Sequence, residues 1–358
     1  MRIGTITFHA SHNFGSALQA YALQYLLNAM GHETSIIDYR SADQRQYELF
    51  SPLHPKRNIR VLKNLTGFKR RRDSFESFAQ QHLQLTEHRY EVGDEDKLVE
   101  LQEQFDCFVC GSDQIWNLDC TSGVVKPFFL SFAGDKRRVA YAPSLAHTAF
   151  KKENFDEAEV ATLLSDFDCI SVREEETVPL FQPLTNKPIE IVLDPTLLLD
   201  GPDYKQLIAE PPLSDDFIFV YLLRGCPELV NSAIEMSRST GKRVAYVSDR
   251  SLPIPGGVNL FGIGPSEFLG CIANADAVLA NSFHAAVFSV LFRKPFRAFA
   301  TDKSASRIRE LLTNLGIRER CEDGINASPI DEVDWTEVND RLNTLRSHSH
   351  NYLKEALS

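Results

Sequence analysis

The chain has 358 residues, with 38 Lys or Arg against 49 Asp or Glu and a net charge of −11, a balance that argues against a dedicated nucleic-acid binder. Hydrophobic residues are 43% and charged residues 24%, which excludes general disorder. No apolar run approaches the roughly 20 residues that span a bilayer, and at roughly 100–200 residues per domain the length predicts two domains.

The opening Met1-Arg2-Ile3-Gly4-Thr5 passes directly into a strand-like run over 3–8, so no signal peptide is expected and the protein is expected in the cytoplasm. A turn-rich stretch follows. Leu18, Tyr21, Ala22, Tyr25, Leu26 and Ala29 then recur at helical spacing until Gly31, where a left-handed cap is cheapest. With a second strand over 34–39 this is the opening of a doubly wound sheet. Residues 41–100 read as polar and less regular. Between Ser51 and Arg72 they carry Lys56, Arg57, Arg60, Lys63, Lys69, Arg70, Arg71 and Arg72 with no acid.

Strands are predicted again at 105–110, 139–141, 169–172 and 189–193, and Pro195, Pro202, Pro211 and Pro212 mark a boundary. The second half repeats the alternation. Strands fall at 217–223, 243–247, 258–261, 277–280 and 296–300, and helices at 227–240, 265–274, 282–292 and 304–315. A final amphipathic segment, 335–357, is expected to pack back across the first domain. The expected architecture is α/β: two Rossmann-like domains, 1–200 and 201–334, facing each other across a cleft, with a C-terminal helix over 335–358. Ligands are expected at the C-terminal ends of the strands.

Four segments at strand ends could carry chemistry. Asn13-Phe14-Gly15-Ser16 opens the first helix, where free N–H groups favour an anion; the alternative is a tight turn with Ser16 as N-cap. No G-x-G-x-x-G fingerprint is present, so a nicotinamide or flavin is not supported. In Gly111-Ser112-Asp113-Gln114-Ile115-Trp116-Asn117, Asp113, Gln114 and Asn117 could bond sugar hydroxyls while Trp116 stacks on the ring; the alternative puts Trp116 in the core and Asp113 at a helix cap. Arg173 could clamp a carboxylate or phosphate, or pair with its neighbouring glutamates. His284, in Asn281-Ser282-Phe283-His284-Ala285-Ala286, stands at a strand–helix junction and could act as acid or base.

Two features read more blandly. Cys107 and Cys110 form a CxxC inside an apolar strand and read as buried small hydrophobes, and the sparse cysteines as reduced thiols. The basic run 51–72 is either a solvated face or a contact for a polyanion, such as a diphosphate-linked acceptor or an anionic membrane surface.

Together, NFGSALQAYAL (13–23), CGSDQIWN (110–117), ISVREEET (170–177), VLDPTLLL (192–199) and GIGPSEFLGCIANADAVLANSFHAAVF (262–288) resemble the polysaccharide pyruvyl transferase family, in order along residues 1 to about 320. The resemblance implies a GT-B-like fold and transfer of the enolpyruvyl group of phosphoenolpyruvate to sugar hydroxyls of bacterial surface polysaccharides, usually as a cyclic ketal. It implies His284 as the catalytic histidine and Arg173 as a phosphoenolpyruvate ligand. Ser282 stands where the family motif has arginine, and Ala285 where it has glycine; Arg307 and Lys294 are the cations that could supply the charge. Asp113 is expected to orient the acceptor or relay a proton. Asn13, Phe14, Gly15, Ser16, Gln19, Ser112, Gln114, Trp116, Arg173, Asn281 and Ser282 are expected to bind substrate. Phosphoenolpyruvate is a co-substrate, with no other cofactor and no metal expected. The expected partner is a nucleotide- or lipid-linked sugar acceptor, and an oligomer is left open. The competing readings are a nucleotide-sugar glycosyltransferase, with Ser266-Glu267 holding the nucleotide, and a non-catalytic partner in capsule synthesis.

Overall fold

The protein is described here by a computed structural model covering residues 1–47, 49–50, 55–145, 156–248, 253–300, 305–326 and 328–358. The beginning of the basic run, 51–54, lies outside the described residues. Two compact units emerge. One comprises Met1–Asn64, Phe75–Leu198 and Leu345–Ser358; the other comprises Leu65–Ser74 and Leu199–Thr344.

The first unit is a parallel sheet built from β1 (Arg2–Ile6), β2 (Glu33–Arg40), β3 (Leu85–Glu91), β4 (Cys107–Cys110), β5 (Arg137–Ala140), β6 (Cys169–Val172) and β7 (Ile189–Ile191). Its seven strands run in the order β3-β2-β1-β4-β5-β6-β7. Helix α1 (Phe14–Ala29) is buried nearly all round and packs on β2. The remaining helices are α2 (Pro55–Lys63), α3 (Leu65–His82), whose first part, Leu65–Ser74, belongs to the second unit, the single turn α4 (Leu118–Thr121), α5 (Glu157–Ser165) and the single turn α6 (Val178–Phe181). The core joins Ile6, Ile37, Phe108, Trp116, Phe128, Phe129 and Phe167.

The second unit holds β8 (Phe217–Tyr221), β9 (Arg243–Val247), β10 (Val258–Asn259), β11 (Ala277–Ala280), β12 (Phe296–Phe299) and β13 (Cys321–Glu322), parallel in the order β10-β9-β8-β11-β12-β13. Helices α7 (Pro227–Thr240), α8 (Pro265–Asn274), α9 (Phe283–Leu291) and α10 (Ala305–Asn314) connect them. Helix α11 (Trp335–Ala356) ends in the first unit. There Tyr352 Oη donates to the Ala140 carbonyl at 2.9 Å and Ser349 Oγ accepts from the Leu193 N–H at 3.0 Å.

Two expectations change. Residues 41–100 are not irregular: they contain α2, α3 and β3. Strand β3 escapes the apolar pattern because it is an edge strand whose LTEHRYE face is mostly exposed, only Tyr90 being buried. Several strands are also shorter than their apolar runs, since Phe8, Phe105 and Leu193 fill the core outside the hydrogen-bonded ladder or turn away after it. Among the described residues no helix is long and apolar enough to cross a membrane.

Candidate active site

In each sheet the chain reverses its order of strand addition at one place, between β1 and β4 in the first and between β8 and β11 in the second. Loops diverge there beyond the strands' C-terminal ends, and open α/β sheets bind their ligands at such points.

At the first switch point the loop after β4 is bolted to the start of α1. Ser16 Oγ donates to Asp113 Oδ2 at 2.5 Å, and the Gln114 N–H donates to Asp113 Oδ1 at 2.8 Å. Asp113 has φ +70°, in the left-handed region that an aspartate tolerates better than most residues. Gly111, at φ +113°, lies so close to β5 that a Cβ would stand 2.0 Å from the Tyr141 carbonyl oxygen. Beneath them Gln19, Thr7 and Ser112 close a buried ring. Gln19 Nε2 donates to Thr7 Oγ1 at 2.9 Å, Thr7 Oγ1 to the Ser112 carbonyl at 2.8 Å, and the Ser112 N–H to Gln19 Oε1 at 3.1 Å.

This geometry corrects several expected ligands. Gln19 and Ser112 are wholly buried and bonded to each other, so they position the loop rather than meet a substrate. The cap of α1 is Asn13, whose side chain accepts from the Gly15 N–H at 2.9 Å, not Ser16; that amide is therefore not offered to an anion. Phe14 is buried against Phe75. Trp116 is 1% exposed, stacked on Phe129 at 5.0 Å, with its indole N–H donating to the Phe128 carbonyl, so it cannot stack on a sugar ring. Gln114 accepts from Asn117 Nδ2 at 3.0 Å, and Asn117 Oδ1 caps α4. Of this loop, Asp113 with half-buried Gln114 remains the candidate for meeting a ligand.

Arg173, just beyond β6, is not an open clamp. Its Nε donates to Glu174 Oε1 at 2.9 Å and its Nη1 to Asp194 Oδ2 at 2.6 Å, with the side chain 3% exposed. Burial alone would lower its pKa, but Glu174, Asp194 and Asp113 outweigh that and hold the guanidinium firmly charged. Two of its nitrogens are thus spent on carboxylates, and the bidentate grip of an anion through them is lost. The acids are anchored in turn: Ser144 Oγ donates to Glu174 Oε1 at 2.5 Å and Thr196 Oγ1 to Asp194 Oδ1 at 2.6 Å. Asp194 belongs to the VLDPT segment, and that segment was the available signal for it.

Sequence reasoning also missed a buried pair beside the same edge. His9 Nε2 lies 3.0 Å from Asp38 Oδ1, at the end of β1 and on β2. Arg40 and Arg89 also donate to that carboxylate. Burial would raise the Asp38 pKa, yet the hydrogen bonds from His9 and Arg40 overcome it and hold the carboxyl well below its usual range. Nothing in the spacing of residues 9 and 38 announces the contact; only parallel pairing of β1 with β2 creates it.

At the second switch point Asn281 ties the two diverging loops together, accepting from the Leu223 N–H and donating to the Arg224 carbonyl, both at 2.8 Å. Asn281 is 1% exposed and so is a positioning residue, not the expected ligand. Ser282 is the N-cap of α9 in extended backbone, and His284 is the helix's second residue. The His284 ring stands edge-on to Phe283 at 5.3 Å, and the Arg307 guanidinium lies over the Phe283 ring at 5.9 Å. A histidine, a helix N-terminus and an arginine therefore share one neighbourhood, a combination suited to a phosphate or carboxylate. Lys294 is ruled out of that role. It lies beyond the other end of α9, where Nζ donates to the Ala273 carbonyl at 3.1 Å and burial pushes its amine down.

Glu267 does not support nucleotide binding either. One carboxylate oxygen accepts from the Gly264 N–H at 2.9 Å, capping α8, and the other from Arg70 at 2.7 Å. All seven cysteines are free thiols, and burial pushes Cys107 up to about 12 and Cys110 well above its ordinary value, as fits small apolar fillers.

The model of the family described as polysaccharide pyruvyl transferase matches residues 13–303. No curated protein matches the chain. Among solved structures it is similar to Anabaena HepE in complex with UDP and glucose, with 10% identity over 99% of this chain and 100% of that one and a TM-score of 0.52. UDP-GlcNAc 2-epimerase from Neisseria meningitidis, bound to UDP-GlcNAc, gives 10% identity over 99% and 94% of the two chains and a TM-score of 0.51. An alpha-glucosyltransferase in complex with UDP and DNA gives 10% identity over 100% and 95%, with a TM-score of 0.53. At that identity the likeness is one of fold, the pairing of two parallel-sheet α/β domains found in GT-B glycosyltransferases and epimerases.

Proposed function

Because the chain belongs to the polysaccharide pyruvyl transferase family and is a transferase, we propose that it moves the enolpyruvyl group of phosphoenolpyruvate onto a sugar of a bacterial surface polysaccharide or its lipid-linked precursor, closing a pyruvate ketal. The observation that carries the reading is His284 at the N-terminal end of α9 and at the second sheet's switch point, next to Phe283, whose ring the Arg307 guanidinium overlies.

The chemistry sets what each group must do. A proton reaches the methylene carbon of the donor, making it a methyl group, while a sugar hydroxyl oxygen bonds to the neighbouring carbon and gives up its proton. The tetrahedral adduct then loses inorganic phosphate as its C–O bond breaks. A second hydroxyl bonds to the same carbon, releases its proton and completes the ketal. His284 serves as the acid–base group. Arg307 and the first N–H groups of α9 hold the phosphate or carboxylate, which gives the charge that Ser282 cannot. Asp113, held by Ser16 and the Gln114 N–H, orients the acceptor hydroxyl. Arg173 is assigned a positioning role: it keeps Glu174 and Asp194 in place.

Incubation with phosphoenolpyruvate and lipid- or nucleotide-linked sugars is expected to release inorganic phosphate and form an acid-labile pyruvate adduct. His284→Ala should lose phosphate release by on the order of a hundredfold or more at unchanged thermal stability. Release of a nucleoside diphosphate from nucleotide sugars, with no phosphate released from phosphoenolpyruvate, would overturn the assignment in favour of glycosyl transfer.

A further inference from the structure

The basic run spans two helices. On α3, Arg70 pairs with Glu267 at 2.7 Å, Arg71 donates to the Phe261 carbonyl at 2.9 Å, and Arg72 pairs with Asp73 at 2.6 Å. Helix α2 likewise uses Arg57, which donates to the Leu49 carbonyl at 3.2 Å. Its sequence, PKRNIRVLK, carries four Lys or Arg and no acid, in a protein of net charge −11. Val61 alone is sealed into the interior, whereas Ile59 is 56% and Leu62 65% exposed. Stepping 100° per residue around the helix places Leu62, Ile59, Lys63, Lys56 and Arg60 in succession across one outward arc opposite Val61. Lys56, Arg60 and Lys63 are all exposed.

That arc puts two branched apolar side chains in water directly beside lysines. Solvent alone would favour polar residues at 59 and 62, and nucleic acid would not reward them. An anionic bilayer rewards both halves: the apolar pair enters the headgroup–acyl boundary and the cations meet lipid phosphates. We propose that the outer face of α2 docks the protein on an anionic membrane surface. The inference stands apart from the pyruvyl transfer reading, since neither the donor nor any residue assigned to catalysis enters it.

The test is sedimentation of the full chain with vesicles of phosphatidylglycerol and phosphatidylcholine against vesicles of phosphatidylcholine alone. Binding is expected to the first and not the second, and to weaken with salt. Lys56→Glu/Lys63→Glu should lower the partition coefficient at least about tenfold, and Ile59→Ser/Leu62→Ser by about as much. Both pairs are on the surface, so circular dichroism melts should match the parent. Absence of binding to anionic vesicles overturns the proposal. So does binding that both double variants retain, a dimer in light scattering that Ile59→Ser/Leu62→Ser dissociates without any vesicle binding, or retention on RNA instead of vesicles. Phosphate release with a water-soluble acceptor should be unchanged in both variants, which separates failure here from failure of the proposed reaction.

Discussion

Ser16 Oγ donates to Asp113 Oδ2 across 97 residues of chain, joining the first turn of α1 to the loop after β4. The bond crosses the place where the first sheet changes its order of strands, and it fixes a buried carboxylate whose backbone is left-handed.

Removing that donor leaves a buried oxygen one partner short. Ser16→Ala is expected to destabilise the protein by about 1–3 kcal/mol in urea unfolding, and to slow transfer through a less well placed Asp113. Asp113→Asn should retain most of the stability while lowering turnover; equal turnover in Asp113→Asn would remove Asp113 from the reaction.

Arg173 compensates two buried acids. Arg173→Met leaves Glu174 and Asp194 without their cation, at an expected cost of about 3–5 kcal/mol, seen as a large fall in melting temperature or loss of soluble protein. An arginine that simply gripped a substrate anion would instead raise KM at unchanged stability.

Trp116 separates core from site in the same way. Trp116→Ala is expected to cost about 3–5 kcal/mol, because the indole fills the space between Phe129, Phe167 and Phe181. A sugar platform would lose acceptor affinity and little stability.

In the proposed reaction Arg307 takes the part of the family arginine absent at 282. Arg307→Ala is expected to raise KM for phosphoenolpyruvate on the order of tenfold to a hundredfold, the worth of a charge-assisted hydrogen bond. Arg307→Lys should recover part of the loss, since it keeps the charge but not the planar fork.

Asp38 gives the acid limb of stability. Its folded pKa is depressed because the His9 and Arg40 hydrogen bonds outweigh burial. The stabilisation is therefore fully present above the unfolded value of about 3.9 and lost as pH falls through the lower folded value. Urea unfolding between about pH 3 and 6 should show stability dropping with acid in the parent, and a flatter profile in Asp38→Asn.

The amino-acid order by itself determined the alternation of elements. Val, Ile and Phe runs short enough to be buried strands, separated by helical spacing, specify parallel α/β units whatever their neighbours are. It also placed Asp113 and Arg173 just past strands of the first sheet and His284 just past a strand of the second, because each parallel sheet sends such residues to its own C-terminal edge. It could not reveal β3, whose exposed side chains lack a pattern, nor the fate of Trp116, since one aromatic residue after a strand can turn into a core or toward a ligand. Only the folded chain chose between them. That Asp194 meets Arg173, which loop Ser16 holds and which cation lies beside Phe283 depend on strand order and helix direction, and these bring together residues tens of positions apart that share no local signal.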